Sequence, residues 1–175
     1  MHRILDGYEA IRDFLEMGGP VLLVIGLFTL LMWILIFERI FYFRVEHSRL
    51  MRRVVTAWKG RHDRSSWNAR RIRDAMVSRV SLSIDEHLPL IKTLVALCPL
   101  LGLLGTVTGM IEVFEVMAFS GSGNPRSMAA GVSKATIPTL AGLVAALSGV
   151  LAVTLLSRFA HREVEHLRAE LTSEV

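Results

Sequence analysis

Three long uncharged apolar runs constrain this chain more than any other feature of its sequence. They cover residues 18–37, 93–111 and 135–157, and they contain 20, 19 and 23 residues. A helix of about 20 residues is about 30 Å long, the thickness of the hydrocarbon core of a bilayer. A soluble protein would need a much longer chain than 175 residues to bury three such helices. The runs therefore predict an all-α membrane protein with three transmembrane helices.

The first run is typical of a retained membrane anchor. It exceeds the usual core length of a signal peptide, and it ends at Glu38 and Arg39 without a small-residue cleavage site. The only cysteine, Cys98, lies in the second run. It excludes an internal disulfide and is expected to be a buried packing residue.

The distribution of Lys and Arg predicts the orientation. Residues 43–92 carry 12 basic side chains against 5 acidic ones, whereas the first 19 residues carry 2 against 4. Cytoplasmic loops of membrane proteins are enriched in Lys and Arg, so the N-terminus is expected outside and the basic loop inside. The formal net charge of +4 then reflects topology and attraction to anionic lipid, and we expect no nucleic-acid partner.

These signals divide the chain into seven segments. They are an interfacial helix on the outer side (1–17), a first span (18–42), a basic cytoplasmic helical loop (43–92), a second span (93–118), a turn on the outer side (119–126), a third span (127–157) and a cytoplasmic helical tail (158–175). Gly60 and the polar residues 61–66 predict a break in the basic loop. Ser83 and Glu86 resemble a capping box at the start of a helix leading into the second span, although Pro89 falls near the start of that helix.

Small residues recur along the second and third spans. In lipid, such residues let helices approach closely. The small residues expected at helix–helix contacts are Gly102, Gly105, Gly109, Gly142, Ala146 and Gly149. The same spans carry Thr106, Thr108, Thr136 and Thr139. Two interpretations stay open: a packing surface alone, or a narrow hydrated path lined by glycine backbones and threonine hydroxyls. At about 1.5 Å per residue, Thr106 and Thr139 are expected at similar depths near the bilayer centre.

Glu112, Glu115 and Lys134 are unusual because they lie within about two turns of the outer face. Charges at this depth need a partner or water. They are interpreted either as an ion pair or snorkelling side chains, or as an outer vestibule for ions.

The centre of every span lacks Asp and Glu. Proton transfer across a bilayer normally uses a titratable group, and threonine is not one. If this protein moves protons, a partner must supply the carboxylate. Elsewhere the histidines are scattered: His161 and His166 are five residues apart, which is unsuited to a helical zinc site. We expect no enzymatic activity, no metal and no cofactor.

Two segments carry a resemblance to a known family. Residues 98–110, CPLLGLLGTVTGM, and residues 136–146, TIPTLAGLVAA, resemble the second and third spans of the MotA/TolQ/ExbB proton-channel family. The flagellar MotA branch has four spans, so the three-span topology is more similar to the ExbB and TolQ branches. The short chain most resembles the ExbB of an additional TonB system.

The resemblance implies a homo-oligomeric ring, a pentamer, around a central pore. The pore would hold an ExbD-like partner whose single span bears a proton-carrying Asp. Thr106 and Thr139 match the pore-lining threonines of the family, and Lys134 stands where well-known ExbB proteins have Glu. The implied function is to use the proton motive force in the bacterial inner membrane to energise a TonB-like protein for nutrient uptake. A TolQ-type role in envelope maintenance and a non-conducting scaffold are the alternatives.

Overall fold

A computed structural model of the protein describes residues 2–62, 66–120 and 125–173, with side chains from residue 18 onward except 45–48, 120, 125–127, 130 and 173. These residues form four α-helices. The helices are α1 (His2–Lys59), α2 (Trp67–Asp85), α3 (Leu88–Ser120) and α4 (Pro125–Ser173). Three helical stretches are long and apolar enough to cross a membrane, namely Gly18–Arg44, Trp67–Phe119 and Gly131–Thr172. The prediction of an all-α protein with three spans is confirmed.

Helix α1 consists of two helices that join at Gly19. This residue has φ 66° and ψ −169°, a conformation that glycine adopts without a steric penalty. Pro20 follows it, in the first helical position, where a missing N–H costs nothing. The helix before Gly19 covers the segment predicted to be an interfacial helix. The side chains on which that prediction depends lie outside the described ones.

The start of α2 is capped by Ser66. Its hydroxyl accepts a hydrogen bond from the backbone N–H of Ala69 at 3.1 Å, which satisfies one of the free donors of the first turn. The predicted capping box at Ser83 and Glu86 is wrong, because Ser83 lies in the last turn of α2 and α3 begins only at Leu88. The Ser83 side chain and carbonyl bind groups on α1 instead.

The predicted break in the basic loop is present. Helix α1 ends at Lys59 and α2 begins at Trp67. Most of the predicted turn at 119–126 lies outside the described residues, between the end of α3 and the start of α4.

The described residues form two compact units. The hairpin unit contains the described parts of Met1–Met32 and Thr93–Gly149, and the tail unit contains those of Trp33–Lys92 and Val150–Val175. The apolar side chains buried in the hairpin unit include Leu22, Ile25, Met32, Val95, Cys98 and Val113. Those buried in the tail unit include Trp58, Ile84, Ile91, Leu167 and Leu171, each at most 1% exposed. In the tail unit Phe43 also packs edge-on against Phe159, with ring centroids 5.2 Å apart.

The outer faces of the spans are apolar. In the most apolar 18-residue segment of each span, only 22%, 28% and 33% is buried within the chain. Leu103, Val144 and Leu147 are each more than half exposed. An apolar surface of this extent requires lipid or another protein chain around it, in agreement with the three predicted spans.

Candidate functional site

Helices α3 and α4 approach each other so closely in the hairpin unit that hydrogen is the only side chain that fits at several positions. A Cβ atom on Gly142 would lie 2.5 Å from the carbonyl oxygen of Cys98. A Cβ on Gly102 would lie 2.9 Å from the Cα of Thr139, and one on Gly109 would lie 2.7 Å from the Cβ of Ala135. These contacts involve backbone or short side chains that cannot move aside. The glycines are therefore where the two backbones meet.

The remaining small residues extend this contact. Gly105 faces the ring of Pro138, and its Cβ would also lie 3.3 Å from Val21 of α1. Gly149 faces Met32 of α1, where a Cβ would lie 2.6 Å from the sulfur atom. Ala146 is buried. The first span is thus packed against the other two within the hairpin unit.

Gly131 makes a contact of the same kind that the sequence interpretation did not include. A Cβ there would clash with the side chain of Val113. Gly131 lies one helical turn before Ala135 and so continues the same stripe of small residues. That spacing is the signal that would have identified it.

All four predicted threonines donate hydrogen bonds to backbone carbonyls. Thr139 is distinct because its hydroxyl donates from α4 to the carbonyl of Gly102 on α3, at 2.8 Å. The other three donate within their own helix: Thr106 to Leu103 at 2.7 Å, Thr108 to Leu104 at 3.1 Å and Thr136 to Ser133 at 2.8 Å. Thr106 and Thr139 are thus each bonded to a carbonyl and not to one another.

This arrangement fixes what the threonines can do chemically. Each hydroxyl hydrogen is occupied, while the lone pairs of the oxygen stay available to accept a hydrogen bond from water or from a partner. None of the four side chains can carry a charge at neutral pH. No group of three metal-ligating side chains occurs among the described residues. The spans therefore offer polar, non-titrating groups within an apolar, closely packed pair of helices.

Lys134 and Glu112 form an ion pair. The lysine Nζ lies 3.3 Å from the carboxylate Oε2, and the two side chains are 44% and 56% exposed. They line a cavity of about 120 Å³, whose other walls are Gly109, Val113, Val116, Met117, Met128 and Gly131. Glu115 is exposed and makes no ion pair with any described side chain. The three charges are thus a bridge beside a small cavity, with Glu115 outside it.

A second polar cluster lies in the tail unit and was missed from the sequence. Arg39 is only 1% exposed. Its Nη1 donates to the carbonyl of Ser83 at 3.0 Å, and its Nη2 lies 2.7 Å from Nδ1 of His87. Its guanidinium also lies 5.0 Å from the ring centroid of Tyr42, and the Tyr42 hydroxyl is 2.6 Å from that of Ser83. The only sequence signal was the adjacent pair Glu38 and Arg39, which marked the end of the first apolar run.

Comparison with known proteins gives one family and several relatives. A family model described as the MotA/TolQ/ExbB proton channel family matches residues 25–169. The chain is 42% identical over 88 residues to the biopolymer transport protein exbB1 of Vibrio cholerae, an alignment that covers 50% of this chain and 39% of that protein. It is 36% identical over 83 residues to the putative biopolymer transport protein ExbB-like 1 of Synechocystis, covering 46% and 33%.

The chain is also similar to a protein of a different system. The Tol-Pal system protein TolQ of Haemophilus influenzae is 32% identical over 75 residues, covering 43% of this chain and 33% of that protein. The matched segments thus span between a third and two fifths of the length of these three relatives.

Proposed function

Because this chain belongs to the MotA/TolQ/ExbB proton channel family, we propose that it is a subunit of a proton-driven motor in the bacterial inner membrane. Copies of the chain form a ring, a pentamer as the family resemblance implies, around an ExbD-like partner with a single span. The membrane Asp of that partner carries the proton. The N-terminus is periplasmic and the C-terminus cytoplasmic. The output energises a TonB-like protein for nutrient uptake across the outer membrane, and the chain itself is not an enzyme.

The observation that carries this proposal is the chemistry of the span interiors. Residues 18–37, 93–111 and 135–157 contain no titratable carboxylate, amine or imidazole. Thr106, Thr108, Thr136 and Thr139 nevertheless keep acceptor lone pairs there. Such groups orient water or a partner's carboxyl group but do not take up the proton. Proton transfer along this surface therefore requires a carboxylate from another chain.

The close packing of α3 and α4 supports a motor. With Gly142 against Cys98 and Gly102 against Thr139, the two helices have no space in which to slide. The bond from Thr139 to Gly102 adds a polar contact that is specific for one register. A partner that changes its protonation state can then move against this pair of helices, which keeps its own shape.

A TolQ-type role in envelope maintenance is the second candidate, favoured by the similarity to the Tol-Pal system protein TolQ. The two roles share the same mechanics and differ in the protein that receives the work. Co-purification with a TonB-like protein supports the first, and co-purification with Tol-Pal components supports the second.

The assembly is tested by co-expression with an ExbD-like partner, gentle extraction and native mass spectrometry of the complex. The expected species contains several copies of this chain together with the partner. A chain that is extracted alone as a monomer or dimer contradicts the ring and favours the scaffold alternative.

The conducting role is tested by replacing the two central threonines in that complex. We expect Thr106→Val and Thr139→Val each to lower partner-dependent proton flux by about tenfold, which corresponds to one lost hydrogen bond in the path. Flux is measured in proteoliposomes with a pH-sensitive dye. Thr29→Val is the matched control for Thr106→Val, because Thr29 likewise donates to a carbonyl in its own helix, that of Ile25 at 2.7 Å, but lies in the first span. Unchanged flux in both test variants, with the complex intact, would support a scaffold.

A further inference from the structure

His87 lies where α1 is attached to the turn between α2 and α3 in the tail unit. The turn consists of Glu86 and His87, and α3 begins directly after it. The Nδ1 atom of His87 lies 2.7 Å from Nη2 of Arg39 and 3.2 Å from Oε2 of Glu38. Two consecutive residues of α1, one basic and one acidic, therefore approach the same nitrogen atom.

These two contacts require opposite states of Nδ1. A guanidinium has only N–H donors, so a hydrogen bond with Arg39 requires a nitrogen without hydrogen. A carboxylate has only acceptors, so a hydrogen bond with Glu38 requires Nδ1–H. One ring nitrogen cannot do both at once. The chemical state of His87 therefore selects which α1 residue it binds.

We propose that His87 is a proton-binding switch that exchanges Arg39 for Glu38. In the unprotonated state Nδ1 accepts from Arg39, and Nε2 carries the single ring hydrogen. When a proton from the solvent adds to Nδ1, the ring becomes a cation, the bond with Arg39 breaks and Nδ1–H donates to Glu38. His87 is 38% exposed and Glu38 is 45% exposed, so neither side chain is enclosed within the chain. This inference concerns the tail unit alone and does not depend on the proposed channel function.

The surroundings of Arg39 allow the exchange. Its Nη1 keeps the carbonyl of Ser83 at 3.0 Å, and its Nε lies 3.8 Å from Oε2 of Glu38, too far for a hydrogen bond. The buried Nε has no hydrogen-bond partner among the described residues. Arg39 thus retains a bond to α2 after His87 leaves it.

Charged groups lie on both sides of His87. Glu38 and Arg39 face it from α1, together with the Tyr42 ring on which Arg39 lies. On its own side of the contact, the charged neighbours in the chain are Asp85, Glu86 and Lys92. Asp85 and Lys92 also line a cavity with charged or titratable residues of α4, namely Arg158, His161, Arg162, Glu165 and Arg168. Because only an unprotonated Nδ1 can accept from Arg39 and only a protonated one can donate to Glu38, acidification is expected to favour Glu38.

The direct test is nuclear magnetic resonance of the full chain in lipid bilayers, labelled with nitrogen-15 in its histidine rings. Signals of His87 are identified by their loss in His87→Gln, a variant whose side-chain oxygen can still accept from Arg39. At pH 8 we expect a His87 Nδ1 signal without attached hydrogen, and at pH 5.5 one with hydrogen. His166, an exposed residue of α4, is the reference for a solvated ring. A hydrogen on Nδ1 at pH 8, or an Nδ1 without hydrogen at pH 5.5, would overturn the proposal.

A double-mutant cycle tests the exchange of partners independently. The apparent melting temperature is measured for the wild type, Glu38→Gln, His87→Gln and the double variant, at pH 8 and at pH 5.5. We expect additive effects at pH 8 and a departure from additivity of about 2 °C at pH 5.5, because the exposed ion pair exists only in the protonated state. Equal coupling at both pH values would contradict the switch.

Discussion

The hairpin unit and the tail unit join their helices in different ways. In the hairpin unit, glycine lets the backbones of α3 and α4 touch, as at Gly142 and the Cys98 carbonyl. In the tail unit, long polar side chains bridge the helices, as Arg39 does from α1 to Ser83 and His87. Among the described residues, two side-chain hydrogen bonds join α3 and α4: a buried one from Thr139 to the Gly102 carbonyl and an exposed one from Lys134 to Glu112. The Arg39 cluster instead contains several contacts around one buried cation.

The difference follows from the solvent that each kind of contact must exclude. Lipid is as apolar as a leucine side chain, so helices in a bilayer gain little by burying apolar groups and associate through close packing instead. A guanidinium loses hydration when it is buried, and its hydrogen bonds must offset that loss. Close contact between two backbones requires that no Cβ atom lies between them, whereas a polar cluster requires side-chain donors and acceptors that reach across. The tail unit should therefore be destabilised by a substitution that removes atoms, and the hairpin unit by one that adds them.

The largest effect is expected when the tail unit loses its buried cation. Arg39→Met keeps much of the side-chain volume but leaves the Ser83 carbonyl and His87 without their donor. We expect a loss of about 2–4 kcal/mol in the free energy of unfolding, since hydrogen bonds to a buried charge are involved. The measurement is the apparent melting temperature in detergent, which falls about 2–4 °C per kcal/mol in a chain of this size.

Arg44→Met is the matched control, because Arg44 is an exposed residue of the same helix. Its melting temperature should stay close to that of the wild type. Equal melting temperatures for both arginine variants would show that the cluster does not stabilise the tail unit.

A smaller loss is expected when the hairpin unit gains one methyl group. Gly142→Ala places a Cβ against the carbonyl of Cys98, so α3 and α4 must separate. Overpacking of this kind costs about 1–3 kcal/mol, again measured as a lower melting temperature. Gly26→Ala is the control, because nothing lies within 4 Å of a Cβ at that position. If Gly142→Ala and Gly26→Ala have the same melting temperature, the contact between α3 and α4 is looser than described.

The smallest effect is expected at the exposed ion pair. Lys134→Ala removes the bridge to Glu112, and pairs of this exposure contribute about 0–1 kcal/mol. The melting temperature should change by less than about 4 °C. Proton flux in the partner complex shows whether the pair also serves the path. A marked loss of flux at an unchanged melting temperature assigns it to an outer vestibule, and unchanged flux assigns it to packing or topology.

The spans and their packing surfaces were predictable because both depend on local composition. Length and the absence of charge identify each span, and the periodic small residues identify the face that meets another helix. The pairing itself was not predictable, because it depends on the register of two helices that are distant in the chain. Nothing in the sequence indicates that Gly105 faces Pro138 or that Thr139 binds the carbonyl of Gly102.

The Arg39 cluster was missed for a related reason. Arg39 and Ser83 are 44 residues apart, and each has a simpler local interpretation, as the end of a span and as a helix cap. The tertiary contact overrides both interpretations. Arg39 is buried and does not extend into solvent. Ser83 lies near the end of α2, whose start is capped by Ser66, and its hydroxyl contacts that of Tyr42. The role of His87 depends on that contact and so was also invisible in the sequence.

Cys98 has a practical consequence for anyone who wishes to label this protein. It is the only cysteine in the sequence, and its side chain is buried in a cluster with Ala145 and Ala146 of α4. Thiol reagents added to the folded chain should therefore not reach its sulfur atom. Cysteines introduced on exposed faces can then carry fluorophores or spin labels without a background signal from Cys98. Cys98 need not be replaced, so its packing against the two alanines is left undisturbed in every such experiment.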